Sequence, residues 1–200
     1  MGPASNTDPK AQKILVAVRT ILAQNGYMGT TISLVAKEAG VSRGLLHYYF
    51  KNKDEMLAQV IKENMEVSIT MIAFVFEQHH TPQGYAKGIT ELLRGVMEND
   101  PDFLSLFFEG FAVARHSKIV NQELAMLYGK FRNALETCLK KAEARQIIHP
   151  GLPVEALAAI ITGMIDGMGL QLLTEPDLSQ NLILWESIET AIVDLLCKDR

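Results

Sequence analysis

The side chains best placed to do chemistry in this 200-residue chain lie between Thr31 and Lys53. Ser42, Arg43, Leu45, His47 and Tyr48 fall in one short stretch, with Thr31, Lys51 and Lys53 flanking it. Such a set can read base edges or hold phosphates, and the flanking residues suit phosphate contacts that position a protein on DNA without reading its sequence. This is the chemistry of binding, not of turnover. No Gly-x-Ser-x-Gly elbow, phosphate loop, dinucleotide fingerprint or His-Glu-x-x-His pair occurs, so no enzyme is expected. His79, His80 and His116 are the groups nearest to metal ligands, but adjacent histidines point to different sides of a helix; neither metal nor cofactor is expected.

To present those side chains to a major groove, the chain needs a short helix, a tight turn and a second short helix. Thr31 can cap a helix through about Ala39, with Leu34, Val35 and Ala36 turned inward. Ala36 is small where the two helices approach. Gly40 permits a positive backbone angle at the turn, and Val41 plugs the angle between the helices. Ser42 then caps a helix through Phe50, whose Tyr49 and Phe50 are expected to pack on the preceding helix Lys10–Asn25. That first helix carries Ile14, Ala17, Val18, Ile21 and Leu22 on one face, and Gly26 can end it in the left-handed conformation. Asn52 opens a long fourth helix to about Gln78, with Glu55 in a capping-box-like position and Asp54 and Glu55 suited to the positive end of its dipole.

The stretch from Thr31 to Leu57 resembles the DNA-binding signature of the TetR family of repressors. The resemblance is carried by Thr31-Ile32, Ala39-Gly40-Val41-Ser42, Gly44, Tyr49-Phe50, Lys53 and Leu57, identities and spacings agreeing across some 27 residues. Leu45 stands where a small hydroxyl residue is frequent, and His47 where a tyrosine often contacts phosphate, so no operator sequence carries over. The resemblance implies DNA contact through Thr31, Ser42, Arg43, Gly44, Leu45, His47, Tyr48, Tyr49, Lys51 and Lys53. It also implies a dimer on a palindromic double-stranded operator, and a helical body with a cavity for a small-molecule inducer. Inducer binding would move the fourth helix and with it the spacing of the two heads.

Beyond the fourth helix, Thr81-Pro82 and Asp100-Pro101 each place a capping residue before a proline at the first helical position. Pro153 opens an apolar helix over 154–173, and 182–196 forms a last amphipathic stretch. No segment alternates like a strand. The expectation is an all-α protein of about nine helices: a DNA-binding head over 10–55 and a ligand-binding and dimerisation body over 56–200. Phe103, Phe107, Phe108 and Phe111 recur at helical spacing, and Met97, Met126, Met164 and Met168 add adaptable apolar surface. With Tyr128 and Asp166 as polar groups, these are the candidate ligand contacts. Three glycines, Gly163, Gly167 and Gly169, interrupt an apolar helix at about 1 kcal/mol each and call for close helix–helix contact in return. This stretch resembles the penultimate helix of the choline-responsive type of repressor. The candidate dimer residues are Gly163, Gly167, Leu170, Trp185, Ile188, Ile192 and Leu196.

Charge supports the division. Residues 1–53 hold seven basic and two acidic side chains, net +5, so the remainder carries −9 of the chain's −4 total. A basic head on an acidic body fits a nucleic-acid partner at one end and a different partner at the other. An architectural or non-specific DNA-binding protein is an alternative, although it would want basic charge throughout; a body whose effector is a protein or peptide is another. The first ten residues lack the apolar core of a secretory signal, and no uncharged apolar run reaches the roughly 20 residues of a membrane span. Two distant cysteines form no framework. The expected setting is cytoplasmic, on the nucleoid, without a membrane partner.

Overall fold

In a computed structural model describing residues 8–198, the chain folds as nine α-helices and one short 3-10 segment. They are α1 (Pro9–Gly29), α2 (Ile32–Glu38), α3 (Arg43–Tyr49), α4 (Lys53–Gln78), α5 (Pro82–Asn99), α6 (Pro101–Ala114), α7 (Lys118–Ala144), α8 (Val154–Thr174) and α9 (Leu182–Leu196), with the 3-10 turn at Pro176–Gln180 between the last two. Among the described residues there is no strand; His149 and Cys197 form one isolated bridge.

The helices start where the capping chemistry places them. Thr31 Oγ1 accepts from the Leu34 amide at 3.2 Å, Ser42 Oγ from Leu45 at 3.1 Å, and Thr81 Oγ1 from Gly84 at 3.0 Å. Each satisfies an amide that has no partner inside its helix. Asn52 accepts from Glu55 as expected, but the Glu55 carboxylate reaches back to the Lys51 amide, at 2.8 Å, so the box is widened by one residue. α2 ends at Gly40, whose φ of +63° lets the Val41 amide fold back on the Ala36 carbonyl at 2.9 Å. α1 behaves differently. Gly26 also takes φ +63°, as expected of a terminator, yet a further turn continues to Gly29, so α1 is kinked and not ended there.

The chain divides into two units: the residues up to Asn64 together with Ser105–Met126, and Met65–Leu104 together with those from Leu127 onward. In the first, Ile14, Val18 and Leu22 of α1, Val35 of α2, Leu46 of α3 and Met56, Leu57 and Ile61 of α4 are all buried. α6 joins them at Gly110, where a Cβ would stand only 2.6 Å from the Ile61 Cδ1. In the second unit Phe76 stacks on Tyr85 at 4.3 Å, and Leu93, Met168, Leu172 and Trp185 form a core cluster of α5, α8 and α9.

α8 is by length and composition apolar enough to cross a membrane, although Asp166 interrupts its apolar run. Its inward face packs in the core of its unit, while Ala156, Ile160, Gly163, Gly167 and Leu170 lie exposed along the other side. A Cβ on Gly163 or Gly167 would meet nothing, so the close contact that would compensate for these two glycines is not supplied by the chain itself.

Gly26 and Gly40 share a φ of +63°, which costs an L-residue about 1–2 kcal/mol, and the ψ of 175° at Gly26 lies in a region that essentially only glycine enters. A Cβ on Gly40 meets only the Lys13 ammonium at 3.5 Å, whereas on Gly26 it would press on the Glu109 carboxylate at 3.2 Å. In urea unfolding Gly40→Ala should therefore lose about 1–2 kcal/mol and Gly26→Ala distinctly more. Equal losses would show that Glu109 is not held against the kink.

Candidate nucleic-acid interface

α3 has seven residues and one fully buried anchor, Leu46. With the helix pinned on that side, Arg43, Gly44, His47 and Tyr48 emerge together on the opposite face, Leu45 at its margin. Tyr48 is 73% exposed and makes an edge-on contact with Tyr49 at 5.3 Å. Ser42 is exposed but its hydroxyl is committed to the cap; Thr31, one helix earlier, is exposed and committed in the same way. Lys51 is exposed just past the helix. The surface thus offers a guanidinium, an imidazole, a phenol and an ammonium around a short helix, which suits phosphates and base edges.

Two residues of the expected set have other duties. Tyr49 is half-buried and its hydroxyl donates to Asp8 Oδ2 at 2.6 Å, while the other oxygen of Asp8 caps α1 through the Lys10 amide at 2.9 Å. The phenol bond holds the Asp8 carboxyl below its ordinary pKa and pushes that of Tyr49 up. The start of α1 and the end of α3 are thereby tied together. Lys53 is half-buried as well: its ammonium lies 4.1 Å from the Tyr27 ring centre and donates to the Tyr27 carbonyl at 3.2 Å. Tyr27 is the hub of this corner. Its hydroxyl donates to Asp54, its amide donates to Glu109 Oε1 at 2.7 Å, and burial with the Asp54 bond raises its phenol pKa to about 12. The pairing of Tyr27 with Glu109 and of Tyr49 with Asp8 carries no signal in the sequence, since each spans 41 or more residues.

The expected ligand residues fall into separate neighbourhoods. On α6, Phe107, Phe108 and Phe111 form a ring cluster with centroids 5.4–6.2 Å apart. Phe107 is buried, Phe108 half-buried and Phe111 exposed; Phe103, a turn earlier, is buried. Met126, on α7, is exposed. Met97, Met164 and Met168 lie elsewhere, in the α5, α8 and α9 core: Met97 packs on its cluster, while Met164 and Met168 line a small cavity with Ile89, Thr90, Leu93, Trp185 and neighbours. Tyr128 donates to Asp166 Oδ2 at 2.8 Å, joining α7 to α8.

The dimer set is redistributed. Trp185, Ile192 and Leu196 are at most 2% exposed, and Ile188 packs on the same core, so the apolar stripe of α9 faces its own unit. The Trp185 indole donates to the Ser179 carbonyl at 2.9 Å, and Arg94 lies over its ring. Periodicity finds a stripe but not what covers it, and α5 and α8 cover this one. Gly163, Gly167 and Leu170 remain on the surface, as do Leu182 and Ile183 of α9.

Residues 14–60 match the family described as bacterial regulatory proteins, tetR family, and residues 86–194 match the BetI-type transcriptional repressor, C-terminal family. The chain is 23% identical over 167 residues to the HTH-type transcriptional regulator BetI of Rhizobium meliloti, covering 83% of this chain and 79% of that one. It is 42% identical over 57 residues to the fatty acid metabolism regulator protein of Bacillus subtilis, 28% of this chain and 29% of that one. GusR of Salmonella enterica superposes with a TM-score of 0.79 at 20% identity, covering 96% and 99% of the two chains. FadR of Bacillus subtilis, solved in complex with stearoyl-CoA, does so with a TM-score of 0.74 at 22% identity over 94% and 97%.

Burial raises the pKa of Asp166 above the ordinary carboxylate value, against the opposing Tyr128 bond. A carboxyl whose pKa is raised on folding favours the folded state most below its unfolded pKa, and that contribution is lost as pH rises through the folded value. Asp166→Asn keeps an acceptor for Tyr128 and removes the charge. Its stability relative to the parent should be higher at pH 7.5 than at pH 4 in thermal melts; a pH-independent difference would mean that Asp166 is well solvated.

Proposed function

The chain belongs to the TetR family of bacterial regulatory proteins, with a C-terminal part of the BetI-type repressor class, and from that premise we propose that it represses transcription as a homodimer released by a small molecule. It is a DNA-binding transcriptional regulator, and regulators of this family bind DNA operators. The observation that carries the detailed reading is the division of α3: Leu46 buried, Arg43, His47 and Tyr48 outward from a helix that has no other use for them. Residues 10–55 form the head and the rest the body. Arg43, His47 and Tyr48 read bases or grip phosphate, and Lys51 and Thr31 lie where the backbone passes. Lys53 and Tyr49 hold α3 in place. Two heads dock in successive major grooves about 34 Å apart on a palindrome. A target of this kind places the protein in the cytoplasm with the nucleoid.

The second copy sits on the outer face of α8, over Ala156, Ile160, Gly163, Gly167 and Leu170, where an apolar surface of small residues would otherwise meet water. Two glycines a turn apart allow the helices of two copies to approach closely. The inducer is a largely apolar small molecule received at the α6 rings; the acyl-CoA held by the Bacillus subtilis relative supports that class of effector. The body's net charge of −7 over residues 56–200 argues against DNA as its partner.

Selection from random duplex DNA at about 150 mM salt should enrich a palindrome. On that duplex Arg43→Ala should lose about 1–3 kcal/mol of discrimination at one position per half-site. Lys51→Ala should weaken all sequences alike and lower the salt slope by about one. No enrichment, or a loss shared by every duplex in Arg43→Ala, would contradict the reading. Gly163→Glu should yield monomers in sedimentation and weaken operator binding; a persistent dimer would place the interface elsewhere.

A further inference from the structure

Gly26 breaks the ladder of α1, so the amide of Tyr27 has to find its acceptor outside the helix. It finds Glu109 Oε1 at 2.7 Å, 82 residues away on α6. The rest of Tyr27 is spent on the first turn of α4: the carbonyl and ring on Lys53, the hydroxyl on Asp54. α4 begins four residues after α3 ends. A single residue therefore stands between the middle of α6 and the segment that follows the recognition helix.

Glu109 also shares its helix with the α6 rings, Phe107 and Phe108 coming just before it and Phe111 two residues on. Phe108 and Phe111 keep open surface. A molecule wedged against these rings has little room to push α6 toward α4, because at Gly110 the Ile61 side chain already lies where a Cβ would stand. The helix must slide or turn, and either motion carries Glu109 with it. Withdrawing the carboxylate leaves the half-buried Tyr27 amide unsatisfied and leaves the kink to Thr30, whose hydroxyl donates to the Gly26 carbonyl at 2.7 Å.

We propose that Glu109 is a positioning residue, a clasp on the α1 kink that transmits the state of the α6 aromatic cluster through Tyr27 to the DNA-reading segment. Seated, it holds the end of α1 and the start of α4 in the geometry that binds operator; withdrawn, it releases both. This rests on the reading of the chain as a ligand-responsive repressor, and it adds which residue carries the response.

The test uses the 200-residue chain and the duplex it selects. Glu109→Leu removes the acceptor at similar size, Glu109→Gln restores a carbonyl oxygen without the charge, and Glu109→Asp is the milder variant should Glu109→Leu fold poorly. Glu109→Leu should bind operator on the order of tenfold more weakly while remaining a folded dimer, and Glu109→Gln should stay within about twofold of the parent. Hydrogen exchange at the Tyr27 amide should be slow in the parent and in Glu109→Gln and fast in Glu109→Leu. Tyr27→Phe breaks the link to Asp54, so adding it to Glu109→Leu should cost little more than either change alone. Parent-like operator affinity in Glu109→Leu with the Tyr27 amide exposed would overturn the clasp, as would fully additive losses in the double variant. A parent that selects no duplex would instead refute the repressor reading, and the clasp with it; the parent measured alone distinguishes the two failures.

Discussion

A helix of seven residues cannot sustain itself in water, where isolated helices below about 12–15 residues are marginal. The recognition element of this protein therefore exists only because other parts hold it. Ser42 supplies the missing acceptor at its start, Leu46 roots it in the core, and the phenol of Tyr49 binds the cap of α1 at its end. Burying Leu46 contributes about 1.5–3 kcal/mol, comparable to the whole deficit of so short a segment. With three inward fixings accounted for, the outward residues are relieved of structural duty. That is why Arg43, His47 and Tyr48 can be given over to an external partner.

The same constraint shapes the elements around α3. The long α4 starts one turn after it and is fastened at its first residues, with Lys53 and Asp54 both on Tyr27 and Glu55 on the Lys51 amide. Arg19 of α1 donates to Asn64 farther along α4 at 3.1 Å. A small head with few buried residues thus depends on polar fastenings between helix ends, and these are specific in direction where apolar contacts are not. In the other unit the balance is reversed. Trp185, Leu172 and Met168 hold α5, α8 and α9 by burial, and α8 keeps a second apolar side exposed.

What could be read from the sequence was local. Thr31, Ser42 and Thr81 cap the helices they precede, and Gly26 and Gly40 take the left-handed backbone, because a cap or a turn is decided within a few residues. Part of the outward set of α3 was legible for a similar reason: a period of 3.6 residues puts Tyr48 opposite Leu46 once one of them is known to be inside, whereas the exposure of Arg43, three residues from Leu46, is set by the packing. Direction failed where both sides of a helix are apolar. Trp185, Ile192 and Leu196 form a stripe in either orientation, and only the packing of α5 and α8 shows that it turns inward. Partnerships across the chain were invisible altogether, since nothing near Tyr27 in sequence announces Glu109, and nothing near Tyr49 announces Asp8. Met164 and Met168 line a small cavity inside the α5, α8 and α9 cluster, where adaptable side chains suit a core and a ligand surface alike.

The central claim is that DNA is read by the outward face of α3 and by nothing in the acidic body. Amide hydrogen exchange of the full chain with and without its selected duplex tests this directly. The account predicts slowed exchange concentrated between Thr31 and Lys53, with α5 and α9 unchanged. Protection spread over the body, or absent from α3, would contradict it.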